Sequence, residues 1–276
     1  MVLKKSIFCI DDKRKDLKRI VIKVGSAVLT HKNNIAKERM LNLVYFIAKL
    51  KKEYDVVLVT SGAVAAGYSA LKLDKSKDIG KKALAAAGQP ILMTSYKKKF
   101  DMFEIDTAQI LLTEDDFDSR KRTKMFQDII DAHLTHDILP IVNENDITST
   151  PEQLFGDNDQ LSANVAHAVK ADLLIILSDI DGYYDKNPQE FPDAKIYKVL
   201  HELPEGVLDD ESTPNDPFAT GGIVTKLKAA AFMMKYGRKM FLTNGFDLSA
   251  AESFLLEKKH TLGTLFEPKI EKEKEK

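Results

Sequence analysis

The 276-residue chain has a single cysteine, Cys9. No intrachain disulfide can form and no cysteine metal cluster can assemble, which fits a reducing cytoplasm. Net charge is also scarce, at -1 for the whole chain. Such a balance gives no reason to expect a nucleic-acid backbone or an anionic membrane as partner. Long apolar runs are missing, so no bilayer span is expected. Near the start, only "SIFCI" separates charged patches, too short for a signal-peptide core. No stretch is rich enough in Pro, Gly or Ser to divide the chain, and no internal repeat is evident.

What is present is a composition for one large α/β unit. Hydrophobic residues make up 44% and charged residues 30%, enough for both a sizeable core and a soluble surface. Residues 1–18 read as a basic extension, a solvated arm carrying Lys4, Lys5, Lys13, Arg14, Lys15 and Lys18. Residues 268–276 read as a charged, frayed tail. The stretch 19–267 between them is the domain.

Hydrophobic periodicity orders that domain. "RIVIKV" (Arg19 to Val24) reads as a buried strand ended by Gly25. Met40, Leu41, Val44, Ile47 and Leu50 recur at helical spacing. "DVVLVT" (Asp55 to Thr60) is a second strand, so the opening is a βαβ unit with parallel strands. Helices are expected at 63–70, 75–87, 90–103, 121–136, 158–170, 222–236 and 248–256. Further strands are expected at "TAQILLT", "DILPIVNEND", "LLIILS" and "KMFLT". The strands do not alternate, so both sheet faces are covered. The fold class is therefore α/β, a three-layer helix–sheet–helix sandwich with a mostly parallel central sheet.

In open sheets of this kind, ligands bind beyond the carboxyl ends of the strands. The residues expected there are Gly25-Ser26, Ser61-Gly62, Asn143 to Asp146, and Ser178-Asp179. The loop at Gly156–Asp159 and the pair Gly221-Gly222 open helices. Glycine turns let backbone N–H groups approach an anion closely. Lys23 precedes Gly25 by two residues, and Lys226 lies about one helical turn past Gly222. One such pair means no more than a turn and a solvated lysine. The whole set, collected at strand ends, suggests a polyphosphate cradle. It is not the usual one: "GAVAAGYS" has Tyr68 where a phosphate loop needs lysine, and no G-x-G-x-x-G turn occurs.

The carboxylates leave two jobs open. Asp146, Asp157 and Asp159 could bind an ammonium group or order the lysines. Asp179 and Asp181 could face a nucleotide or make an Asx turn, and the turn is the stronger reading for Asp181, which precedes Gly182. His133 and His136 read as a solvated helical pair, with no third zinc ligand near them.

Six stretches then carry a resemblance. They are "KVGSAVLT" (Lys23 to Thr30), "VTSGAVAAG" (Val59 to Gly67), "NEND" (Asn143 to Asp146), "FGDNDQLSA" (Phe155 to Ala163), "LSDIDGYYDKNP" (Leu177 to Pro188) and "TGGIVTKLKAA" (Thr220 to Ala230). In this order, over residues 19 to about 267, the chain resembles the amino acid kinase family. "NEND" followed by "FGDND" resembles its glutamate 5-kinases more than its acetylglutamate or uridylate kinases. The resemblance implies phosphorylation of the side-chain carboxylate of L-glutamate by ATP with Mg²⁺, the first step of proline biosynthesis. It implies Lys23 and Lys226 as the grip on the transferring phosphoryl group and Asp159 as their organiser. It implies glutamate contacts from Ser61, Gly62, Asp146, Asp157 and Asn158. Nucleotide contacts would come from Lys23, Gly25, Ser26, Ser178 and Asp179, and from Thr220, Gly221, Gly222, Ile223, Val224, Thr225 and Lys226. Magnesium would travel on the substrate phosphates, without a dedicated protein cage. A homo-oligomer, dimer or tetramer, is implied as well.

Three departures from the family pattern stand out. Ser178 occupies a position where threonine is common, with the hydroxyl kept. Ala219 stands where glycine is common. After "GTLF" no RNA-binding-like PUA domain of the kind found in many bacterial relatives is expected within these residues. Leu203 to Pro217, with its prolines and acidic residues, is expected to form a flap near the nucleotide.

Overall fold

The computed structural model describes residues 18–32, 34–74, 76–149, 158–208 and 221–269. In chain order the elements are β1 (Lys18–Val24), α1 (Ser26–Leu29), β2 (Thr30–His31), β3 (Asn34–Ile35), α2 (Lys37–Leu50), β4 (Tyr54–Val59), α3 (Ala63–Ala70), α4 (Asp78–Phe100), β5 (Thr107–Leu112), α5 (Asp115–Asp118) and α6 (Arg120–Thr135). Then follow β6 (Leu139–Glu144), α7 (Asn158–Ala168), β7 (Leu173–Ser178), β8 (Val199–Leu200), α8 (Gly221–Lys235), β9 (Lys239–Asn244), α9 (Ser249–Leu255) and β10 (Thr264–Phe266).

Eight strands form one sheet in the order β5-β6-β4-β1-β7-β9-β10-β8. The pairings are parallel except between β9 and β10. β10 lies between β9 and β8, and β8 joins the sheet through β10. Both edges of β1 are occupied, by β4 and β7. The chain winds away from β1 in both directions, so a crevice opens beyond its carboxyl end.

The period of two along each strand decides what faces which layer. Ile20, Ile22 and Val24 of β1 pack with α2, α3, α4 and α9. Val21 packs on the other face with α6, α7 and α8. Each such fully buried aliphatic side chain contributes about 1.5–3 kcal/mol of transfer free energy. By the same parity, Lys23 projects from the Val21 face, the layer of α7 and α8. An otherwise apolar strand thus delivers one ammonium group to that layer.

The expected strands and helices are present, with one correction. The helices expected at 75–87 and 90–103 are a single 23-residue helix, α4, with Pro90 inside it. Pro90 sacrifices one backbone hydrogen bond, but tertiary packing carries the helix through. α3 and α4 touch backbone to backbone. A Cβ on Gly67 would lie 1.9 Å from the Leu84 carbonyl oxygen, and one on Gly88 would lie 1.8 Å from that of Ala63. The short strands β2, β3, β8 and β10 carry too few residues to show a period in the sequence.

Candidate active site

β1, β4, β6, β7 and β9 end at one edge of the sheet, and the starts of α7 and α8 meet them there. Asp159, in the first turn of α7, is fully buried. Its Oδ1 forms an ion pair with Lys23 Nζ. Its Oδ2 lies 3.1 Å from Lys226 Nζ and accepts a hydrogen bond from Thr225 Oγ1, also at 3.1 Å. Lys226 Nζ donates in addition to the Gly222 carbonyl at 2.8 Å, one turn back in α8. Lys23 and Lys226 are 3% and 8% exposed. Two desolvated ammonium groups repel strongly when they stand alone. The carboxylate between them makes their approach tolerable and holds both ammonium groups at the sheet edge. Two lysines gathered at the carboxyl edge of a sheet suit an anionic ligand.

Backbone around this node is open to a ligand. Among the described residues, and apart from its chain neighbours and its own helix backbone, nothing lies within 4 Å of where a Cβ on Gly222 would stand. Gly25 donates its N–H to the Leu177 carbonyl at 3.1 Å, tying the β1 turn to β7. Ser26 is exposed beside it. Gly62 sits at φ 100° just after β4, a left-handed conformation that suits glycine. Ser61 is half-buried in the same turn.

On the β7 side, Asp179, Ile180, Gly182, Tyr184, Asn187, Pro188, Gln189, Gly222, Ile223 and Lys226 line a cavity of about 230 Å³. Ser178 Oγ donates to Asp179 Oδ1 at 2.9 Å. The Asx-turn reading of Asp181 is corrected. Its Oδ1 accepts from Asn244 Nδ2 at 2.6 Å and its Oδ2 from the Tyr184 hydroxyl at 3.2 Å. The carboxylate bridges β9 and the segment after β7, and so fixes a wall of the cavity.

On the β4–β6 side, Asn158 Nδ2 donates to the Thr60 carbonyl and to Asn143 Oδ1. Asn143 Nδ2 donates to Gln89 Oε1 at 2.8 Å. Thr60 Oγ1 and the Tyr96 hydroxyl are 2.8 Å apart in the core, where burial pushes the Tyr96 phenol well above its usual range. Asp146 lies in the loop after β6. Burial raises its pKa above the ordinary carboxylate value. The same loop is held to α4 by Lys82 Nζ, which donates to the Ser149 carbonyl at 2.8 Å.

The structure thus brings Lys23, Asp159 and Lys226 into direct contact, with Thr225 added through its hydroxyl. Gly221, Gly222, Ile223, Val224 and Thr225 form the first turns of α8. Asp157 and Thr220 lie outside the described residues, as do Ala219 and residues 209–217 of the expected flap. His133 and His136 are not part of this edge; His136 Nδ1 is 3.0 Å from the Ala132 carbonyl oxygen on its own helix. Gln89, Tyr96, Tyr184 and Asn244 were missed by sequence reasoning. Only Gln89 had a nearby signal, the Gly88-Gln-Pro90 interruption of a helical pattern. Among the described residues no group of three or more His, Cys, Asp or Glu could hold a metal ion, and no helix is long and apolar enough to cross a membrane.

Comparison with known proteins gives a consistent result. The family model described as "Amino acid kinase family" matches residues 18–244. A glutamate 5-kinase of Wolinella succinogenes is 57% identical over 255 residues, covering 91% of this chain and 98% of that protein. A glutamate 5-kinase of Leishmania donovani is 52% identical over 256 residues, covering 93% and 97%. Among solved structures, carbamate kinase from Giardia lamblia bound to AMP-PNP aligns with TM-score 0.64 at 14% identity, covering 92% of this chain and 99% of that one. Isopentenyl phosphate kinase of T. acidophilum aligns with TM-score 0.61, also at 14% identity, covering 90% and 99%. Those two likenesses speak for the fold alone. The chain belongs to the amino acid kinase family, within its glutamate 5-kinase branch.

Proposed function

We propose that this chain transfers the γ-phosphoryl group of ATP to the side-chain carboxylate of L-glutamate. The products are L-glutamyl 5-phosphate and ADP, and the reaction is the first step towards proline. The observation that carries the reading is the Lys23–Asp159–Lys226 node at the carboxyl edge of the sheet. It is supported by the identity to the glutamate 5-kinases named above.

The chemistry asks little of the protein beyond placement and charge. The nucleophile is a carboxylate whose ordinary pKa in water is about 4.3, so it is already ionised near neutral pH. No general base is required. One carboxylate oxygen forms the new P–O bond, and the bond to the β,γ-bridging oxygen breaks, leaving ADP. Charge spreads over the equatorial oxygens in the transition state. In this reading Lys23 from β1 and Lys226 from α8 neutralise it, and their shared ion pairs with Asp159 support that role. Fixed charges in a desolvated site need no reorganisation as the reaction proceeds.

The two substrates are assigned to the two sides of the node. Glutamate takes the β4–β6 side, with Ser61, Gly62, Asn158 and Asp146, where the Asp146 carboxylate meets the ammonium group. The nucleotide takes the β7–α8 side, with Gly25, Ser26, Ser178, Asp179 and the α8 amino terminus, whose N–H groups favour phosphate. Magnesium fits as a passenger of the nucleotide phosphates, since Asp159 is committed to ammonium groups and no carboxylate cluster competes for it among the described residues. When bound, it supplies charge neutralisation on those phosphates.

ADP release with Mg-ATP against L-glutamate, N-acetyl-L-glutamate, L-aspartate and no acid tests the assignment. Turnover on glutamate alone is expected. Turnover on the acetylated acid in preference would overturn the ammonium role of Asp146. No turnover on any acid would sink the proposed reaction.

A further inference from the structure

The orientation of Asn158 is dictated from the opposite face of the sheet. A side-chain amide has two N–H donors and one carbonyl acceptor. Both donor directions of Asn158 go to protein oxygens, the Thr60 carbonyl and Asn143 Oδ1. Only its Oδ1 is left for a ligand. Asn143 can offer Oδ1 to Asn158 because its own Nδ2 points away, to Gln89 Oε1 at 2.8 Å. Gln89 can offer Oε1 because its Nε2 points away in turn, to Gln109 Oε1 at 3.3 Å. Four amides are aligned head to tail, from β5 through α4 and β6 to α7. A flip at any one of them would set two donors or two acceptors against each other.

The middle of this chain has no easy substitute. Asn143 is 3% exposed, so water does not readily replace Gln89 as its acceptor. The Gln89 backbone is itself locked. Gly88 before it lies against the Ala63 carbonyl in the α3–α4 contact, and Pro90 after it fixes the next φ.

We infer that Gln89 is a positioning residue for the amino-acid substrate: it sets the Asn143 amide, and through Asn143 it presents Asn158 as a hydrogen-bond acceptor towards the substrate ammonium group. Gln89 acts through Asn143, not by contact. The inference rests on the proposed function, because it needs glutamate on the β4–β6 side. Without the Gln89 acceptor, the buried Nδ2 of Asn143 is unpaired, and once Asn143 turns to find another acceptor only the Thr60 carbonyl still holds Asn158. A turned Asn158 meets an ammonium group with its own N–H.

Steady-state kinetics on the wild-type chain, Gln89→Leu, Asn143→Ala and the double variant test this. Gln89→Leu is expected to raise the glutamate KM about tenfold, the loss of one buried hydrogen bond. The kcat and the ATP KM should move by less than about twofold, which a general loosening of α4 would not allow. In the Asn143→Ala background, Gln89→Leu should add nothing, because the link it acts through is gone. If Gln89→Leu does not fold, Gln89→Ala gives the same readout. An unchanged glutamate KM overturns the inference, as do equal rises in both KM values or fully additive effects of the two substitutions. Failure of the proposed function is visible separately: a wild-type chain that releases no ADP on glutamate removes both the reaction and the relay.

Discussion

Asp159 presents one carboxylate oxygen to Lys23 and the other to Lys226, so a single buried anion spaces two cations that come from opposite ends of the sequence. Asp159→Asn keeps the shape and removes the charge. The two buried ammonium groups then face each other uncompensated, and stability should fall by about 3–5 kcal/mol. The kcat should fall at least about 100-fold, as expected when preorganised charge is lost. Thermal melting and turnover measured together check this; wild-type kcat in the variant would remove Asp159 as organiser.

Lys226→Ala should separate the two effects. Asp159 retains Lys23 and Thr225 as partners, so the fold should persist. Turnover should nevertheless drop by at least about 100-fold, because a transition-state contact is lost. A melting curve close to wild type, beside near-normal kcat, would exclude Lys226 from the chemistry.

Asp146 should give the reaction an acidic limb. Burial holds its folded-state pKa above the ordinary value, so the carboxylate protonates earlier than a free one as pH falls. The sign for stability follows. A raised carboxylate pKa favours the folded state at low pH, and that contribution disappears as pH rises through the folded pKa. For binding the sign is opposite, since the ionised form is needed for an ammonium partner. The glutamate KM should therefore rise on acidification while the ATP KM stays level. Asp146→Asn should raise the glutamate KM throughout and flatten that limb. A limb that survives in Asp146→Asn belongs to another group.

Asn244→Ala should loosen the nucleotide side without touching the amino-acid side. Asp181 loses the donor that ties it to β9, and Tyr184 loses a fixed partner at the cavity wall. The ATP KM should rise about threefold to tenfold, the loss of one charge-assisted hydrogen bond, with the glutamate KM unchanged. A change confined to glutamate would reverse the assignment of sides.

Gly88→Ala tests the α3–α4 contact. A Cβ 1.8 Å from the Ala63 carbonyl oxygen cannot be accommodated without parting the helices. Destabilisation of about 3 kcal/mol or more is expected by chemical denaturation. A change under about 0.5 kcal/mol would show that the helices separate freely.

Much of this is legible in the residues alone. β1, β4, β7 and β9 announce themselves as apolar runs ended by small or polar residues, because strands buried on both faces have no reason to alternate. Lys23 stands out for the same reason, as a charge in a run that otherwise excludes charge. Asp159 and Lys226 are readable through their glycine- and acid-rich surroundings. α4 is not readable as one helix, because local rules place a break at Gly88-Gln89-Pro90. The packing that overrides those rules comes from α3, outside the local window. Gln89 stays hidden for a related reason: an amide matters here through what it is aligned with, and alignment across β5, α4, β6 and α7 leaves no periodic trace. Asp181 is misread because Asp before Gly is a local turn signal, whereas its partner Asn244 lies 63 residues away.

The insertion of β10 between β9 and β8 bears on the order in which the molecule can be made. Strands β1, β4, β5, β6 and β7 can pair as soon as residue 178 has emerged from synthesis. β8 cannot join the sheet until β10 arrives, and Thr264 Oγ1 is also what receives the Tyr183 backbone N–H. A nascent chain can therefore have the β5–β7 half of the sheet paired while the segment after β7 still waits for its last strand, and premature termination before residue 264 would leave that segment without its support.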